Sequence, residues 1–316
     1  GVFVGEEFDE LKRAVLGGQR IITISQLTSS SAKAYALARL RSETGKKLAI
    51  VVESNAELDA WSCDLEFFQD YCGAPGPQVI TFPSFETDPY SGVSPHAETQ
   101  ERRALSLWQI ARGAGDVVLL SARSAVQRTA PVDETKALGA GLVRDADLPP
   151  EELTERLIAS GYVREEPIFG PGQFSLRGGI IDAWSPDSEQ PVRIEFFGDT
   201  VDSIRTFDPE TQLSIEQLRA VSIAPMREFA VSDQDLKDWA FFAAERFSDD
   251  RFRRNLKDRT DFAAEGETFS GWEFLLPLVR PLKGCIFDYL DDHMIVVDEP
   301  AAIEQTLTNF YANLDR

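Results

Sequence analysis

The sequence predicts an α/β fold in which a discontinuous parallel-sheet domain carries an inserted, small α+β domain. Apolar, strand-like runs alternate with amphipathic helical stretches in the first part of the chain. A middle stretch contains short β-rich runs separated by turn signals. Apolar strand-like runs return near the end of the chain, where we expect them to rejoin the first sheet.

Composition excludes several classes of protein. The chain has 316 residues, 43% of them hydrophobic and 27% charged, as in ordinary globular proteins. We expect a cytoplasmic location, because no signal peptide or membrane-length apolar run is visible and the three cysteines form no close pair. A net charge of −21 disfavours nucleic-acid binding over the whole surface. With two histidines, a His-rich metal site is excluded and a Ser-His-Asp triad is disfavoured.

Residues 1–129 are expected to form most of the parallel sheet. The helices of this part are expected at residues 32–43, 56–71 and 97–112. Its strand-like runs are "RIITIS", "KLAIVVES", "QVITF" and "DVVLLSA". Because these runs are apolar throughout and alternate with helices, both faces of the sheet should be covered.

The pattern changes near residue 130, and a small α+β domain is expected to extend to about residue 225. "LPPEELTERLIASGY" has proline at its start and Gly161 near its end, which is typical of a helix. Antiparallel β-rich runs follow in "QFSLRGGIIDAWSP", "PVRIEFFGDTVDSIRTFD" and "LRAVSIAP". Residues 226–316, with strand-like "KGCIFDYL" and "HMIVVDEP", would then complete the first sheet.

A lysine follows the first strand-like run in the manner of a phosphate-binding loop. On the frame G-x-x-x-x-G-K-[ST], the chain keeps only Lys33. Leu27 and Ala32 replace glycines that let the backbone approach phosphates closely. Ala34 lacks the hydroxyl that would ligate magnesium. The loop is therefore degenerate, and a lysine in the first turn of a helix is by itself weak evidence for a nucleotide site.

Nucleotide-binding motor proteins have, besides the phosphate-binding loop, a second motif in which an acidic pair directly follows an apolar strand. "IVVDEP" supplies Asp298 and Glu299, which resemble the pair that holds magnesium and orients water. Solvated acids at a strand end are the simpler interpretation of this pair alone. Together with Lys33, the pair predicts a RecA-like or P-loop-like domain with an inactive nucleotide site, so we expect this chain to have no cofactor.

Long, irregular strings carry a resemblance to a known family. They are "FETDPYSGVSPHAETQERRALSL", "GPGQFSLRGGIIDAWSPDSEQPVRIEFFGDTVDSIRTFDPETQLSIEQL", "AVSIAPMREF" and "FSGWEFLLPLV". Over essentially its whole length, the chain resembles the N-terminal module of the bacterial transcription-repair coupling factors (Mfd), which is similar to the excision-repair protein UvrB. The resemblance implies domain 1a at 1–129, an inserted domain 2 at 130–225 and domain 1b at 226–316.

The resemblance implies a recruiting module that has no ATPase activity of its own. In this family domain 2 binds the damage-recognition protein UvrA, and the binding residues carry over to Arg177, Arg193 and Phe197. Strand alternation would point Arg193, Glu195 and Phe197 outward together, so that an exposed arginine lies beside an exposed aromatic ring. Without the resemblance, an ordinary polar face is the simpler interpretation. The stretch 83–102 is too short for the DNA-clamping hairpin of UvrB.

The resemblance also implies a longer parent protein, an ATP-dependent DNA translocase that displaces stalled RNA polymerase. RNA polymerase and DNA would contact only regions outside this chain, where motor domains would bind ATP and magnesium. Other parent domains would pack on the chain, and a distant C-terminal domain would mask the UvrA-facing surface.

Two alternative functions of this chain stay open. One is an ATP-binding enzyme lobe with an atypical loop; the other is a nucleic-acid-binding module using the basic cluster at 245–259, whose mixed charges are more typical of a solvated face.

Overall fold

The computed structural model describes residues 5–73, 79–246 and 250–314, with side chains in the last range described from 256 onward. The α-helices are α1 (Glu6–Leu16), α2 (Ser30–Thr44), α3 (Asn55–Tyr71), α4 (Ala97–Ala111), α5 (Ala122–Val126), α6 (Val132–Lys136), α7 (Pro150–Ala159), α8 (Asp233–Arg246), α9 (Asp250–Ala264), α10 (Trp272–Leu275) and α11 (Pro300–Leu314). The strands are β1 (Lys47–Val52), β2 (Val79–Phe82), β3 (Val117–Ser121), β4 (Arg128–Thr129), β5 (Ala140–Val143), β6 (Val163–Arg164), β7 (Gln173–Arg177), β8 (Ile180–Ala183), β9 (Val192–Phe197), β10 (Thr200–Phe207), β11 (Ser214–Leu218), β12 (Ala220–Ile223), β13 (Gly284–Cys285) and β14 (His293–Val297). Short 3-10 helices span Leu276–Leu278 and Ile286–Tyr289. Within these ranges, no helix has the length and apolar character needed to cross a membrane.

The chain divides into two compact units. The first contains the described residues of Gly1–Ser84, Arg112–Gln127 and Cys285–Arg316, and the second those of Phe85–Ala111 and Arg128–Gly284. The first unit is thus discontinuous in sequence. The second takes in more of the chain than residues 130–225, and the division into domains 1a, 2 and 1b at 129 and 225 stays a prediction.

A parallel sheet forms the centre of the first unit, with the strand order β14-β1-β3-β2. Every pairing is parallel: Lys47 lies opposite His293, while Leu48 and Val79 both lie opposite Val117. The pairing of β14 with β1 confirms that the strand near the end of the chain rejoins the first sheet. The predicted α/β class is therefore confirmed.

Helix α3 covers the parallel sheet through one apolar face, whereas the buried residues of α2 are divided between the cluster of the sheet and the core of α1. Leu58, Trp61 and Leu65 of α3 are buried, in the spacing expected for this helix. They share a cluster with Leu48 and Ile50 of β1. The start of α2 is capped by its own N-cap serine, whose hydroxyl accepts the backbone N–H three residues later, and a left-handed glycine ends the helix.

A separate, mixed sheet forms part of the second unit, with the strand order β11-β10-β9-β8-β7-β6. The pairing of β6 with β7 is parallel and the other pairings are antiparallel. One face is apolar: Phe174, Ile181 and Ile194 are fully buried in a cluster that includes Leu153 and Leu157 of α7. The opposite face, called the outer face below, carries Arg177, Arg193, Glu195 and Phe197.

Two expected strands are wrong. The stretch "RIITIS" at 20–25 forms no strand, and Ile21 is 80% exposed while Ile22 packs on the core of α1. In "KGCIFDYL" only Gly284–Cys285 is extended, and a 3-10 helix follows. The backbone N–H of Cys285 donates to the Asp288 carboxylate over 2.8 Å, and this local cap favours a helical turn.

Candidate functional site

The residues of the degenerate nucleotide motif lie together at the carboxyl ends of the parallel strands. Asp298 directly follows β14, and its backbone N–H donates to the carbonyl oxygen of Val51 over 2.9 Å. From the first turn of α2, Lys33 Nζ reaches Asp298 Oδ1 at 2.6 Å and Glu299 Oε1 at 2.6 Å. Lys33 and Asp298 are largely buried, whereas Glu299 is exposed. The ammonium group is therefore paired with carboxylates of its own chain.

Electrostatics at this site disfavour an added phosphate. Burial acts to lower the pKa of Lys33, but hydrogen bonds and charges from Asp298 and Glu299 outweigh it, so the pKa is raised. Ser31 Oγ donates to Asp64 Oδ2 over 2.8 Å, which brings another carboxylate to the start of α2. A phosphate binds a helix start through free N–H groups and positive charge, and here the lysine is already neutralised. Inactivity of the site stays a prediction, with these contacts in its favour.

The outer face of the mixed sheet brings Arg177, Arg193 and Phe197 onto one surface. Arg177 pairs with Ile180, which in turn pairs with Glu195 of β9. Because directly paired residues share a face and alternate residues of a strand share a face, Arg193, Glu195 and Phe197 lie on the side of Arg177. The buried Ile194 of the same strand points to the opposite, apolar side.

Arg177 and Phe197 also lie at the same end of the sheet. Both β7 and β9 are antiparallel to β8, so they run in the same direction, and these residues end them. Each is followed by a two-residue turn whose first position is a glycine, with φ of 57° at Gly178 and 61° at Gly198. Phe197 is 83% exposed. The Arg177 side chain is 57% exposed, with Nε 3.5 Å from Glu166 Oε1.

Arg193 differs from the expectation, because its side chain is only 12% exposed. Its Nε and Nη2 donate to the two carboxylate oxygens of Asp182 over 2.7 and 2.8 Å. Nη2 also donates to Gln212 Oε1 over 2.8 Å, and the guanidinium lies 4.3 Å from the centre of the Phe207 ring. Strand register explains the difference, since β8 places Asp182 directly opposite Arg193. The face predicted for Arg193 is correct, but the predicted exposure is wrong.

Charged side chains connect the strands of the outer face. Glu195 accepts hydrogen bonds from Ser203 Oγ at 2.8 Å and from Arg205 Nη2 at 2.5 Å. The Ser203 hydrogen bond and the charge of Arg205 outweigh burial and lower the pKa of Glu195. The hydrogen bonds of Asp182 raise the pKa of Arg193 against the effect of burial. Sequence reasoning assigned no role to Asp182, a polar residue within the apolar run "GGIIDAW", and it missed Gln212.

The basic cluster at 245–259 lies partly outside the described residues. Arg251, Arg253 and Arg254 are among those whose side chains are not described. Lys257 Nζ is 2.5 Å from Asp261 Oδ2, one helical turn away, and Arg259 Nη2 donates to the carbonyl oxygen of Gly92 over 3.3 Å. The described side chains therefore fit a salt-bridged helix face better than a row of free cations.

Comparison with known proteins gives two findings. The family described as "UvrB interaction domain" matches residues 141–229. The transcription-repair-coupling factor of Myxococcus xanthus is 31% identical over an alignment of 325 positions, which covers 99% of this chain and 27% of that protein. The factors of Staphylococcus haemolyticus and Bacillus subtilis are 29% and 25% identical, covering 98% and 88% of this chain and 27% and 24% of those proteins. The chain thus spans about a quarter of the length of these curated relatives.

Proposed function

This chain is homologous to the N-terminal region of transcription-repair-coupling factors and contains a UvrB interaction domain, and from this we propose that it recruits the damage-recognition protein UvrA. It does so through the outer face of the mixed sheet, in imitation of UvrB. The observation that carries the proposal is the display of Phe197, 83% exposed, and Arg177 on one face and at one end of the matched domain.

The chemistry of this pair describes the surface that it would meet. An exposed phenyl ring gains free energy when it enters an apolar pocket, because water is released from its surface. The guanidinium of Arg177 has one long contact, 3.5 Å, to Glu166, so its planar fork can turn to a carboxylate of the partner. An apolar pocket beside an acidic side chain on UvrA fits both.

In this proposal the chain is a docking module without catalysis of its own. The paired state of Lys33 with Asp298 and Glu299 favours this over an ATP-binding lobe. The longer parent protein would be an ATP-dependent DNA translocase that displaces stalled RNA polymerase in the cytoplasm. Its ATP and magnesium would bind motor domains outside this chain.

Calorimetric titration of the 316-residue chain with purified UvrA tests the proposal. We expect Phe197→Ala to weaken binding by about 2 kcal/mol and Arg177→Ala by about 1 kcal/mol, as for residues near an interface centre. The matched controls are Phe241→Ala on α8 and Arg156→Ala on α7, which remove an exposed ring and an exposed guanidinium elsewhere in the second unit.

Two results would count against the proposal in different ways. If the folded wild-type chain does not bind UvrA, the recruiting function is wrong. If the wild type binds and both outer-face variants bind equally well, the function stands but the surface is wrong. Arg193→Ala is a less direct test, because it leaves the buried carboxylate of Asp182 without its guanidinium.

A further inference from the structure

We infer that the docking surface extends to the loop at 208–213 and to Ile215 of β11, and that Arg193 acts as a positioning residue for this loop. The inference rests on the proposed function, because its partner is the same UvrA. It assigns a contact role to Leu213 and Ile215, and a supporting role to the chain of hydrogen bonds from Asp182 through Arg193 to Gln212.

The 208–213 loop has a defined geometry. The side chain of Asp208 accepts hydrogen bonds from the backbone N–H groups of Glu210 and Thr211 over 2.9 and 2.8 Å. Its own backbone N–H donates to the carbonyl oxygen of Leu213 over 2.9 Å. Gln212 adopts a φ of 63°, and its side-chain amide donates to the carbonyl oxygen of Pro209 over 2.8 Å. Such local side-chain to backbone bonds specify one turn conformation.

Arg193 attaches this loop to the centre of the mixed sheet. One nitrogen, Nη2, donates both to Asp182 Oδ2 and to Gln212 Oε1, over 2.8 Å in each case. The Asp182 carboxylate is buried, and the ring of Phe207 lies beneath the guanidinium. A bidentate arginine held from two sides has little freedom, so the position of Gln212 follows from that of the sheet.

Two apolar side chains close to the hydrogen bond between Arg193 and Gln212 are largely exposed in the part of the chain that the structure describes. Leu213, directly after Gln212, is 69% exposed, and Ile215 is 57% exposed. Ile215 sits at the β-bulge between β10 and β11, and with Ser203 and Arg205 it lines a cleft of about 260 Å³. Arg205 pairs with Arg193 across the sheet, so the cleft opens on the outer face. Through this cleft Ile215 adjoins the surface that carries Phe197, and Leu213 lies two positions before Ile215 in the chain.

A partner that covers Phe197 at one end of the outer face meets the anchored loop at the other. The charged pairs between these ends are satisfied within the chain, by Asp182 for Arg193 and by Arg205 and Ser203 for Glu195. They therefore offer little binding energy and act as complementary surface, while the exposed apolar side chains provide it. The surface of UvrA that fits has apolar side chains opposite Leu213, one of them filling the cleft beside Ile215.

Binding of the full chain to UvrA, measured for Leu213→Ala, Gln212→Ala and Asp182→Ala, tests the inference. We expect Leu213→Ala to weaken binding about tenfold and Gln212→Ala by several-fold, with the midpoint of unfolding unchanged in both. Asp182→Ala distinguishes a positioning role of Arg193 from a direct contact of its guanidinium with UvrA. It weakens binding if Arg193 positions the loop, and it leaves binding equal or tighter if the released guanidinium is itself the contact.

The outcomes distinguish this inference from the proposed function. If Phe197→Ala weakens binding while Leu213→Ala and Gln212→Ala match the Phe241→Ala control, the inference is wrong and the recruiting function stands. If the folded wild-type chain binds no UvrA, both are wrong. Should Asp182→Ala fail to fold, the two loop variants decide alone, because their side chains lie at the surface.

Discussion

At the scale of single residues, Lys33 occupies the position of a phosphate-binding lysine but pairs with two carboxylates of its own chain. Its Nζ lies 2.6 Å from both Asp298 Oδ1 and Glu299 Oε1, and the first of these carboxylates is largely buried. A partly buried carboxylate is costly without a cation beside it. The side chain thus joins α2 to the end of β14 within the first unit.

We predict that Lys33→Ala lowers the free energy of unfolding by on the order of 2 kcal/mol at neutral pH, because Asp298 loses its cation. Since the pKa of Lys33 is raised above 10.5, this contribution is complete below pH 10.5 and is lost as the pH rises beyond it. Urea unfolding measures the change. Lys12→Ala is the control, because the ion pair of Lys12 with Glu43 is more exposed.

If Lys33→Ala lowers the free energy of unfolding no more than Lys12→Ala does, the largely buried pair stabilises the fold no more than an exposed one. A second result would contradict the inactive nucleotide site itself: ATP with magnesium raising the unfolding midpoint of the wild type but not of Lys33→Ala.

Sequence reasoning at this scale identified faces but not partners. Alternation along "VRIEFF" places Arg193 and Phe197 on the face opposite Ile194, as the structure has them. Alternation says nothing about the neighbouring strand, whose register with β9 brings Asp182 opposite Arg193. That register depends on the loop between β8 and β9 and on packing of the whole sheet, so the burial of Arg193 could not be derived from its own segment.

At the scale of elements, β9 and β10 are connected on the outer face by the contacts of Glu195. Ser203 and Arg205, both on β10, donate to its two carboxylate oxygens. The hairpin is therefore stabilised by cross-strand polar pairs on one side and by the apolar core on the other.

We predict that Glu195→Gln reduces the dependence of stability on pH in the acid range. Because the pKa of Glu195 in the folded chain is lowered from 4.5, its contribution is present above pH 4.5 and is lost as the pH falls through the folded-state pKa. The difference in unfolding free energy between wild type and variant should therefore shrink below pH 4.5. Urea unfolding at several pH values measures it, with Glu155→Gln on the exposed side of α7 as control. A difference that is constant with pH would contradict the prediction.

Element types followed from sequence where apolar periodicity agreed with burial. The strands β1, β2, β3 and β14 and the helices α2, α3 and α4 lie where their patterns indicate. The failure at 20–25 has a physical reason: Ile21 and Ile24 are exposed and only Ile22 contacts the core, so apolar composition alone was misleading. At 286–289, burial of Ile286 and Tyr289 follows a spacing of three residues, and the strand pattern was wrong.

At the scale of the whole molecule, two compact units serve different parts of the proposal. The first has a parallel sheet at whose edge Lys33 is paired with Asp298 and Glu299, and the second has a mixed sheet whose outer face is the docking surface that we propose. The α/β class followed from alternating elements. The grouping of residues 85–111 and 226–284 with the mixed sheet did not, because such long-range contacts leave no local signal.

Imitation of UvrB is the central claim, and competition between this chain and UvrB for UvrA tests it most directly. A labelled sample of the chain is bound to UvrA and unlabelled UvrB is titrated in, with release followed by fluorescence anisotropy. The claim predicts full displacement of the labelled chain by UvrB. The UvrB concentration at half displacement should rise in proportion to the concentration of the chain. The claim would be contradicted if one UvrA molecule bound this chain and UvrB at the same time, with no displacement of the chain.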